Sequence, residues 1–505
     1  MKKKLIKTLT PILILSIIFA VYLIKKNSEI NKKENFNRFV EGINLSRNEL
    51  FKNAPSIKDE YIKWFKDGED IFTPEETKEA IDYQKSFYQK NLILHSARRY
   101  NEKKVITYDE AEEDVNSLFK LFRYCYAAYG YFGGDIVFNE AKENIINTLN
   151  VQPSIKAEDF SNLLLNNLEF IKDGHFALAD KNPFRYKFKS YYIYDKDEFF
   201  KNENGYYKIV DKRHYYIKEI NKDKNIDKYM KYTINDNGKL VYSIAMLYEN
   251  SSLNINTDIT YSNNKDTLNE SIVLDEVKFS TPNNNVPFEY SVEDNVPIAK
   301  LSAMYTSTEE DTSQYDFANS AIDMQNYPVS IIDLRGNRGG FVDAGTNWIQ
   351  SYSGYSANPR GAYSYLNSSL IRELKKSNYP DSFVASYFIS SSLNSKELPR
   401  IPNDKIVFVL IDKNTISAGE FFIECLMNMD NVILVGTNTS GANLCCDPYY
   451  HKLKNSSITV QLGNYLYLSP YGNEFEFNGF HPDILVDSNE ALEKVQKLIK
   501  YYNLK

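Results

Sequence analysis

Residues 330–345, "SIIDLRGNRGGFVDAG", pass from a short apolar run into Asp-Leu-Arg and then into glycines. The run "VSIIDL" has the length and β-branched content of a buried strand, and "AGTNWIQSYSGY" after it has helical spacing. The glycines therefore stand at a strand-to-helix corner. Gly339 and Gly340 could serve only a tight turn that needs positive φ, or they could let a substrate reach backbone N–H groups at the start of a helix.

A second corner of the same kind lies in "KIVFVLIDKNTISAGEFFIECL", residues 405–426. Ser417 falls where the helix begins. One interpretation is structural, because Ser417 and Glu420 have the S-x-x-E spacing of a capping box. The other is chemical, because a serine at a helix start lies beside backbone N–H groups that could stabilise an oxyanion. The spacing alone leaves both open.

Strands and helices alternate from about Pro297 onward, which predicts an α/β core with parallel crossovers. A helical region precedes this core, and short Tyr-, Ile- and Val-rich runs between them predict an antiparallel β module. The predicted segments are a membrane anchor or signal (1–24), a helical region (25–186), the β module (187–293), the α/β core (294–490) and a C-terminal helix (491–505).

The N-terminus has a basic start and an uncharged stretch from Thr8 to Ile24, followed by more lysines. These 17 residues would extend about 25 Å as a helix, and flanking lysines can reach the membrane interface. Because no small-residue cleavage site follows, we expect a single-pass anchor rather than a signal peptide. The excess of lysines before the stretch predicts a cytoplasmic N-terminus, with the rest of the chain outside the membrane. If the segment is cleaved, the protein would be secreted.

Composition narrows the classes of function. The 505 residues are 43% hydrophobic and 14% aromatic, which indicates a folded chain of two or three domains. A net charge of −7 with scattered lysines gives no basic surface for nucleic acid. The four cysteines lack the spacing of a zinc site. We therefore expect no nucleic-acid partner and no zinc site built from the cysteines.

Among the five histidines, His175 is the best candidate for a catalytic base, because "DGHF" ends a helix in a glycine-containing loop. A serine nucleophile needs a base that titrates near neutrality, and a loop histidine can reach into a cleft. A lone loop histidine is also often merely solvated, so the residue alone does not decide its role.

Four stretches in order, "DGHF", "IIDLRGNRGG", "ISAGE" with "VILVGTNTSGA", and "EFNGFHPDI", resemble the C-terminal processing (tail-specific) serine peptidases. The resemblance covers about Asp109 to Val486 and points to the branch with tricorn-core and retinoid-binding-protein-like members. It implies a crotonase/ClpP-like ββα core within the α/β fold. It also implies that residues 187–293 stand where many relatives carry a PDZ-like module, here diverged because the G-L-G-F-type loop is missing.

The resemblance assigns roles to particular residues. It makes Ser417 the nucleophile, His175 the base and Glu476 the residue that orients or polarises the histidine. The lysine that many members carry in a "T-x-G-K" context is replaced by Gly441-Ala442-Asn443. Tricorn-like enzymes have a serine directly before the histidine, where this chain has Gly174.

The same resemblance brings the two corners into one site. It implies an oxyanion hole built from the N–H of Gly339 or Gly340 together with that of Ala418. Arg335 is expected to be a structural brace. The combined interpretation is a membrane-anchored, extracytoplasmic serine endopeptidase that acts on peptides or proteins by acyl transfer. This interpretation implies no metal or organic cofactor. The alternatives are a catalytically inactive peptidase-like binding protein of the cell surface and, less favoured, an esterase or peptide-release enzyme with the same catalytic residues. The oligomeric state is not predicted.

Overall fold

A computed structural model describes residues 29–52, 55–65, 71–91, 100–151, 153–183, 188–249, 255–263, 265–279, 286–305, 310–357, 359–378, 400–472 and 475–505. The predicted anchor, Thr8–Ile24, lies outside the described residues. Among the helices that are described, none combines the length and the apolar character needed to cross a bilayer.

The helices are α1 (29–52), α2 (Asp59–Ile62), α3 (Pro74–Asn91), α4 (Tyr108–Cys125), α5 (Gly134–Leu149), α6 (Ala157–Asn167), α7 (Ser313–Met324), α8 (Asp343–Ser353), α9 (Ser369–Asn378), α10 (Ala418–Met427) and α11 (Ala491–Tyr502).

The first ten strands are β1 (Val105–Thr107), β2 (Ser154–Lys156), β3 (Ala177–Leu178), β4 (Lys189–Asn202), β5 (Gly205–Val210), β6 (Arg213–Ile220), β7 (Met230–Ile234), β8 (Leu240–Glu249), β9 (Ile255–Ser262) and β10 (Thr267–Glu276). The others are β11 (Phe288–Glu293), β12 (Val296–Leu301), β13 (Val329–Asp333), β14 (Ala362–Tyr365), β15 (Ile406–Ile411), β16 (Val432–Gly436), β17 (Cys445–Lys452), β18 (Thr459–Leu468) and β19 (Ile484–Leu485).

The core is a six-stranded sheet in the order β11-β12-β13-β15-β16-β19, parallel except for β11. Its central strands are buried on both faces. In β15, Val407 and Val409 pack with α7, α8 and α10, whereas Phe408 and Leu410 pack with α1 and α11. A parallel strand covered by helices on both sides needs apolar residues at every position, which explains the unbroken run in the sequence. The mixed α/β fold that was predicted is confirmed.

The β module forms a second sheet in the order β10-β9-β6-β5-β4-β8-β7. Strand β10 also pairs with β4, so this antiparallel sheet closes on itself around an apolar interior. Strand β11 was expected at the end of this module, but it pairs with β12 at the edge of the core sheet. Alternation of apolar residues can identify a strand, but it does not show with which other strand it pairs. The sequence therefore could not assign the pairing of β11 with β12.

The helical region contributes α4, α5 and α6, which pack on the small antiparallel sheet β14-β18-β17. Strand β3 pairs with β18 directly after the "DGHF" loop. This pairing fixes the loop relative to the core, because β17 and β18 follow β16 along the chain.

Candidate active site

Both predicted corners lie at one edge of the core sheet. Strands β13 and β15 are parallel neighbours, with Asp333 opposite Leu410 at their carboxyl ends. The turns that follow them are bonded together: Asp412 Oδ1 accepts from Gly336 N (3.0 Å), and Thr415 Oγ1 donates to the Leu334 carbonyl (2.9 Å). The parallel arrangement therefore brings the glycine corner against the start of α10.

Ser417 stands at the start of α10 with φ +59° and ψ −120°. This backbone conformation is one that residues with a side chain rarely adopt, and it costs of order 1–3 kcal/mol. Ser417 Oγ lies 2.9 Å from His175 Nε2. The strained corner thus presents the hydroxyl to an imidazole that comes from a distant part of the chain.

The glycine corner packs directly on this serine. A Cβ on Gly339 would lie 2.8 Å from Ser417 Cβ and 3.0 Å from Ala418 N, so only glycine fits there. However, Gly339 N donates to Asn337 Oδ1 at 2.8 Å. Its N–H is therefore already used, and the prediction that Gly339 can supply an oxyanion donor is corrected.

The other two predicted oxyanion donors remain. The backbone bonds of the corner with Met304 use the Gly339 carbonyl and the Phe341 N–H. No hydrogen bond to another described residue occupies the N–H of Gly340 or of Ala418. These two groups can still receive the oxygen of a reacting carbonyl.

The loop of His175 is held by a buried acid that the sequence analysis passed over. Asp173 Oδ1 accepts from His175 N (2.9 Å), and its Oδ2 accepts from the hydroxyl of Tyr126 (2.8 Å). Asp173 was visible in the "DGH" motif. Tyr126 lies far from the motif in sequence, and no spacing signal connects the two.

Glu476 lies beside the histidine loop without a hydrogen bond to the ring. Its carboxylate accepts from Gly174 N (2.6 Å), Asn443 N (3.2 Å) and Leu444 N (3.0 Å). His175 Nδ1 is buried and has no hydrogen-bond partner among the described residues. Glu476 therefore positions the backbone next to His175, a more indirect arrangement than the predicted orientation of the imidazole.

Burial controls the electrostatics of this site. It lowers the pKa of His175 to about 4, so the ring is neutral at neutral pH. It raises the pKa of Asp173 to about 7, and burial followed by the charge on Asp173 raises that of Glu476. Both shifts favour the neutral form of the carboxyl group relative to an exposed one.

Glu420 is a further buried carboxylate, and it links the start of α10 to the loop after β16. Burial raises its pKa. It accepts from Ser417 N (3.1 Å), as a capping box predicts, but also from Thr439 Oγ1 (2.5 Å), Gly441 N (2.6 Å) and Ala442 N (3.0 Å). The structural interpretation of the S-x-x-E spacing was thus correct for Glu420, although the spacing indicated only one of its four bonds.

The lysine alternative receives no geometric support. The Gly441-Ala442-Asn443 stretch, where a family lysine would stand, bonds through its backbone to Glu420 and Glu476. Lys413 is the lysine closest to Ser417 in sequence, and burial lowers its pKa to about 8. Its Nζ contacts Ser190 Oγ at 2.5 Å and the Phe188 carbonyl, both in or next to the β module.

Arg335 binds Asp333 through Nε (2.8 Å) and Nη2 (2.6 Å) and also contacts the Ser488 carbonyl. These contacts make it a structural brace. Among the described residues, no group of three or more His, Cys, Asp or Glu side chains could hold a metal ion. The described residues at the site supply a serine hydroxyl, a neutral imidazole, buried carboxyl groups and two unused backbone N–H groups.

Comparison with known proteins finds a family match for part of the chain. The sequence model of peptidase family S41 matches residues 298–486, which contain both corners and Glu476. Similar solved structures include mature CPAF complexed with lactacystin (16% identity, 79% of this chain and 99% of that chain, TM-score 0.42). Others are the photosystem II D1 C-terminal processing protease (12%, 75% and 93%, 0.34) and a putative peptidase from Parabacteroides merdae (14%, 79% and 97%, 0.39).

These TM-scores lie below 0.5, so the assignment rests on the family match and on the residues that the match contains. The matched segment carries the glycine corner, the Ser417 corner and the "EFNGFHPDI" segment in the expected order. Residues 298–486 therefore match peptidase family S41, and this segment is similar to the C-terminal processing serine peptidases.

Proposed function

We propose that this serine peptidase cleaves peptides or proteins with Ser417 as nucleophile and His175 as general base. The observation that carries the proposal is the 2.9 Å separation of Ser417 Oγ and His175 Nε2. This distance is within the range for direct proton transfer to a base. Because the imidazole is neutral at neutral pH, its Nε2 can accept the serine proton.

The reaction proceeds in two halves. Ser417 Oγ attacks the scissile carbonyl carbon as its proton moves to His175 Nε2, and the N–H groups of Gly340 and Ala418 stabilise the oxyanion. His175 then gives the proton to the leaving amine as the C–N bond breaks, which leaves an acyl-serine. Water then attacks the acyl carbonyl carbon as its proton moves to the same Nε2. The bond between that carbon and Ser417 Oγ breaks, the proton returns from Nε2 to Oγ, and the carboxylic acid product leaves.

The buried carboxyl groups do not contact the reacting atoms and act on the residues that hold them. Glu476 binds the Gly174 N–H and thereby fixes the backbone next to His175. A negative charge held on the Asp173 and Glu476 pair favours the imidazolium that forms during the reaction. Glu420 fixes the start of α10, where the nucleophile stands.

The cellular location is part of the same proposal. The uncharged stretch from Thr8 to Ile24, flanked by lysines, supports a single-pass anchor with the peptidase on the extracytoplasmic side. N-terminal sequencing of the membrane-expressed protein tests it. We expect a chain that still carries this stretch, and a start beyond Ile24 or release into the medium contradicts the anchor.

The second candidate is a peptidase-like binding protein that no longer cleaves. The observations that favour it are the missing hydrogen bond between Glu476 and the ring and the unpartnered His175 Nδ1 among the described residues. The short contact between Ser417 and His175 and the unused N–H groups of Gly340 and Ala418 favour the enzyme.

A fluorophosphonate reagent separates the two functions, because it reacts with a serine only where a base activates the hydroxyl. We expect mass spectrometry to find the adduct on Ser417 of the full chain, and no adduct on a folded His175→Ala variant. Folded wild-type protein that stays unlabelled and cuts no peptide in a library contradicts the peptidase.

A further inference from the structure

Three apolar side chains are exposed at the glycine corner, next to the fully buried Met304. Tyr305, Phe341 and Val342 are 40%, 44% and 37% exposed. Single exposed apolar residues are common on proteins, but a group of them beside a reactive centre marks a binding surface. We define Tyr305, Phe341 and Val342 as the corner patch.

The backbone brings two of these side chains together. Met304 and Gly340 form an isolated parallel bridge, with Met304 N bonded to the Gly339 carbonyl (3.0 Å) and Phe341 N bonded to the Met304 carbonyl (2.6 Å). Met304 itself is fully buried in the core. The next position along both segments places Tyr305 beside Phe341, on the solvent side of the bridge.

The corner patch is close to the reacting atoms. A Cβ on Gly339 would lie 2.8 Å from Ser417 Cβ, and Phe341 follows two residues later. Two residues of chain extend no more than about 7 Å. Gly340, which supplies a proposed oxyanion donor, is the residue directly before Phe341. A carbonyl bound at that N–H therefore has its own side chain within reach of Phe341 and Tyr305.

The chemistry of the patch points to an apolar occupant. Exposed Arg338 and Asp343 lie before and after it in sequence and give it a polar rim of both signs. The patch itself contains two aromatic rings and a branched aliphatic group, with a single hydroxyl. Such a surface gains most from a large apolar side chain that is removed from water on binding.

We propose that the corner patch is the specificity subsite for the substrate residue that supplies the scissile carbonyl, and that it selects large apolar side chains, such as Leu or Phe, at that position. This inference rests on the proposed peptidase function and names its substrate class. Phe341 and Tyr305 are its specificity-determining residues.

The test compares peptides that differ only at that residue. A peptide cleaved by the full chain is first found in a library and then remade with Leu, Phe, Ser or Asp before the cut. We expect kcat/KM to favour Leu and Phe over Ser by about 10- to 100-fold, with Asp cleaved most slowly. We expect Phe341→Ser and Tyr305→Ser each to reduce the Leu to Ser ratio at least about fivefold.

The matched control is Tyr355→Ser, which removes an equally exposed aromatic residue at the far end of α8. That helix separates it from the corner patch by about 15 Å, so the ratio should stay within about twofold of wild type. Phe341→Leu, which keeps an apolar surface, should retain the preference. If circular dichroism shows that Phe341→Ser does not fold, the proposal is tested by Tyr305→Ser, which should weaken the preference for Leu over Ser, and by Phe341→Leu, which should keep it.

Two failures are distinguishable. Wild type that is labelled at Ser417 and cleaves peptides with no preference at this residue, or with a preference that survives both serine variants, overturns the subsite alone. Wild type that is neither labelled nor active overturns the peptidase function and the subsite with it.

Discussion

The two strand-to-helix corners look alike in sequence and differ in what they do. Each follows a buried parallel strand, and each carries backbone at positive φ. At the first corner the positive φ falls on Gly339 and Gly340, where it costs little. At the second it falls on Ser417, where it is strained. One corner therefore supplies space and backbone N–H groups, whereas the other holds the serine that we propose as nucleophile in a strained conformation.

The largest effect that follows concerns the reactive side chain. Ser417→Ala and His175→Ala should each lower kcat about ten-thousand-fold or more, and the double variant should be scarcely worse than either, because the two residues act as one unit. Steady-state kinetics on folded variants measures this. Losses that multiply in the double variant contradict a shared proton-transfer step.

The next effect concerns the space at the first corner. Gly339→Ala places a Cβ 2.8 Å from both Ser417 Cβ and the Ile416 carbonyl, so the nucleophile must move. A misplacement of this kind near the reacting atoms should lower kcat about a hundredfold.

Gly354→Ala is the matched control for that substitution. Gly354 has φ +76°, close to the +79° of Gly339, but no atom lies within 4 Å of its added Cβ. Both substitutions should cost about 1–2 kcal/mol of stability from the backbone, and only Gly339→Ala should lose activity. Equal activity in the two variants contradicts the idea that Gly339 is needed for close approach to Ser417.

A smaller effect is expected from the carboxylate behind the histidine. All three groups bound to Glu476 are backbone N–H donors, and a glutamine there would bring an NH₂ group toward some of them. Glu476→Gln should therefore displace the Gly174 backbone and lower kcat about 10- to 100-fold, while the fold is kept.

Glu424→Gln controls for the loss of a buried carboxylate. Glu424 accepts from Arg360 N (2.7 Å) and Gly361 N (2.9 Å), well along α10 from Ser417. The Glu424→Gln variant should lose about as much stability as the Glu476→Gln variant, but its kcat should stay within about threefold of wild type. A Glu476→Gln variant with wild-type kcat at neutral pH means that Glu476 has a purely structural role.

Much of this comparison could be predicted from the sequence. The apolar runs identified the parallel strands, and parallel strands bring their carboxyl ends to one edge, so the two corners had to meet. The bond from Asn337 to Gly339 N could not be predicted, because it depends on the conformation of a side chain within the turn. The contact of Tyr126 with Asp173 depends on tertiary packing between two distant segments, and no local pattern encodes it.

The pH dependence tests the environment of the base. A histidine at its ordinary pKa of about 6.5 would be only about one-tenth neutral at pH 5.5. Burial lowers the pKa of His175 to about 4, and the neutral, active form should therefore persist at pH 5.5. We expect kcat/KM to fall on the acid side with a midpoint below 6.5. A limb that appears only at alkaline pH indicates a lysine base instead.

The smallest effect isolates the strain at the second corner. Ser417→Gly and Ser417→Ala both remove the hydroxyl, so both should be inactive, but only glycine relaxes at φ +59° and ψ −120°. The glycine variant should be more stable than the alanine variant by about 1 kcal/mol, even though glycine loses more backbone entropy on folding.

At a serine in the interior of a regular helix, the stability difference between the glycine and alanine variants should have the opposite sign. Ser320 lies in the interior of α7, where Ser320→Gly should be about 1 kcal/mol less stable than Ser320→Ala. Urea unfolding of the four variants measures both differences, with slopes compared to confirm that the midpoints report stability. If the glycine variant is less stable than the alanine variant at both positions, the backbone of Ser417 is not strained. The two corners would then differ only in the side chain that they carry.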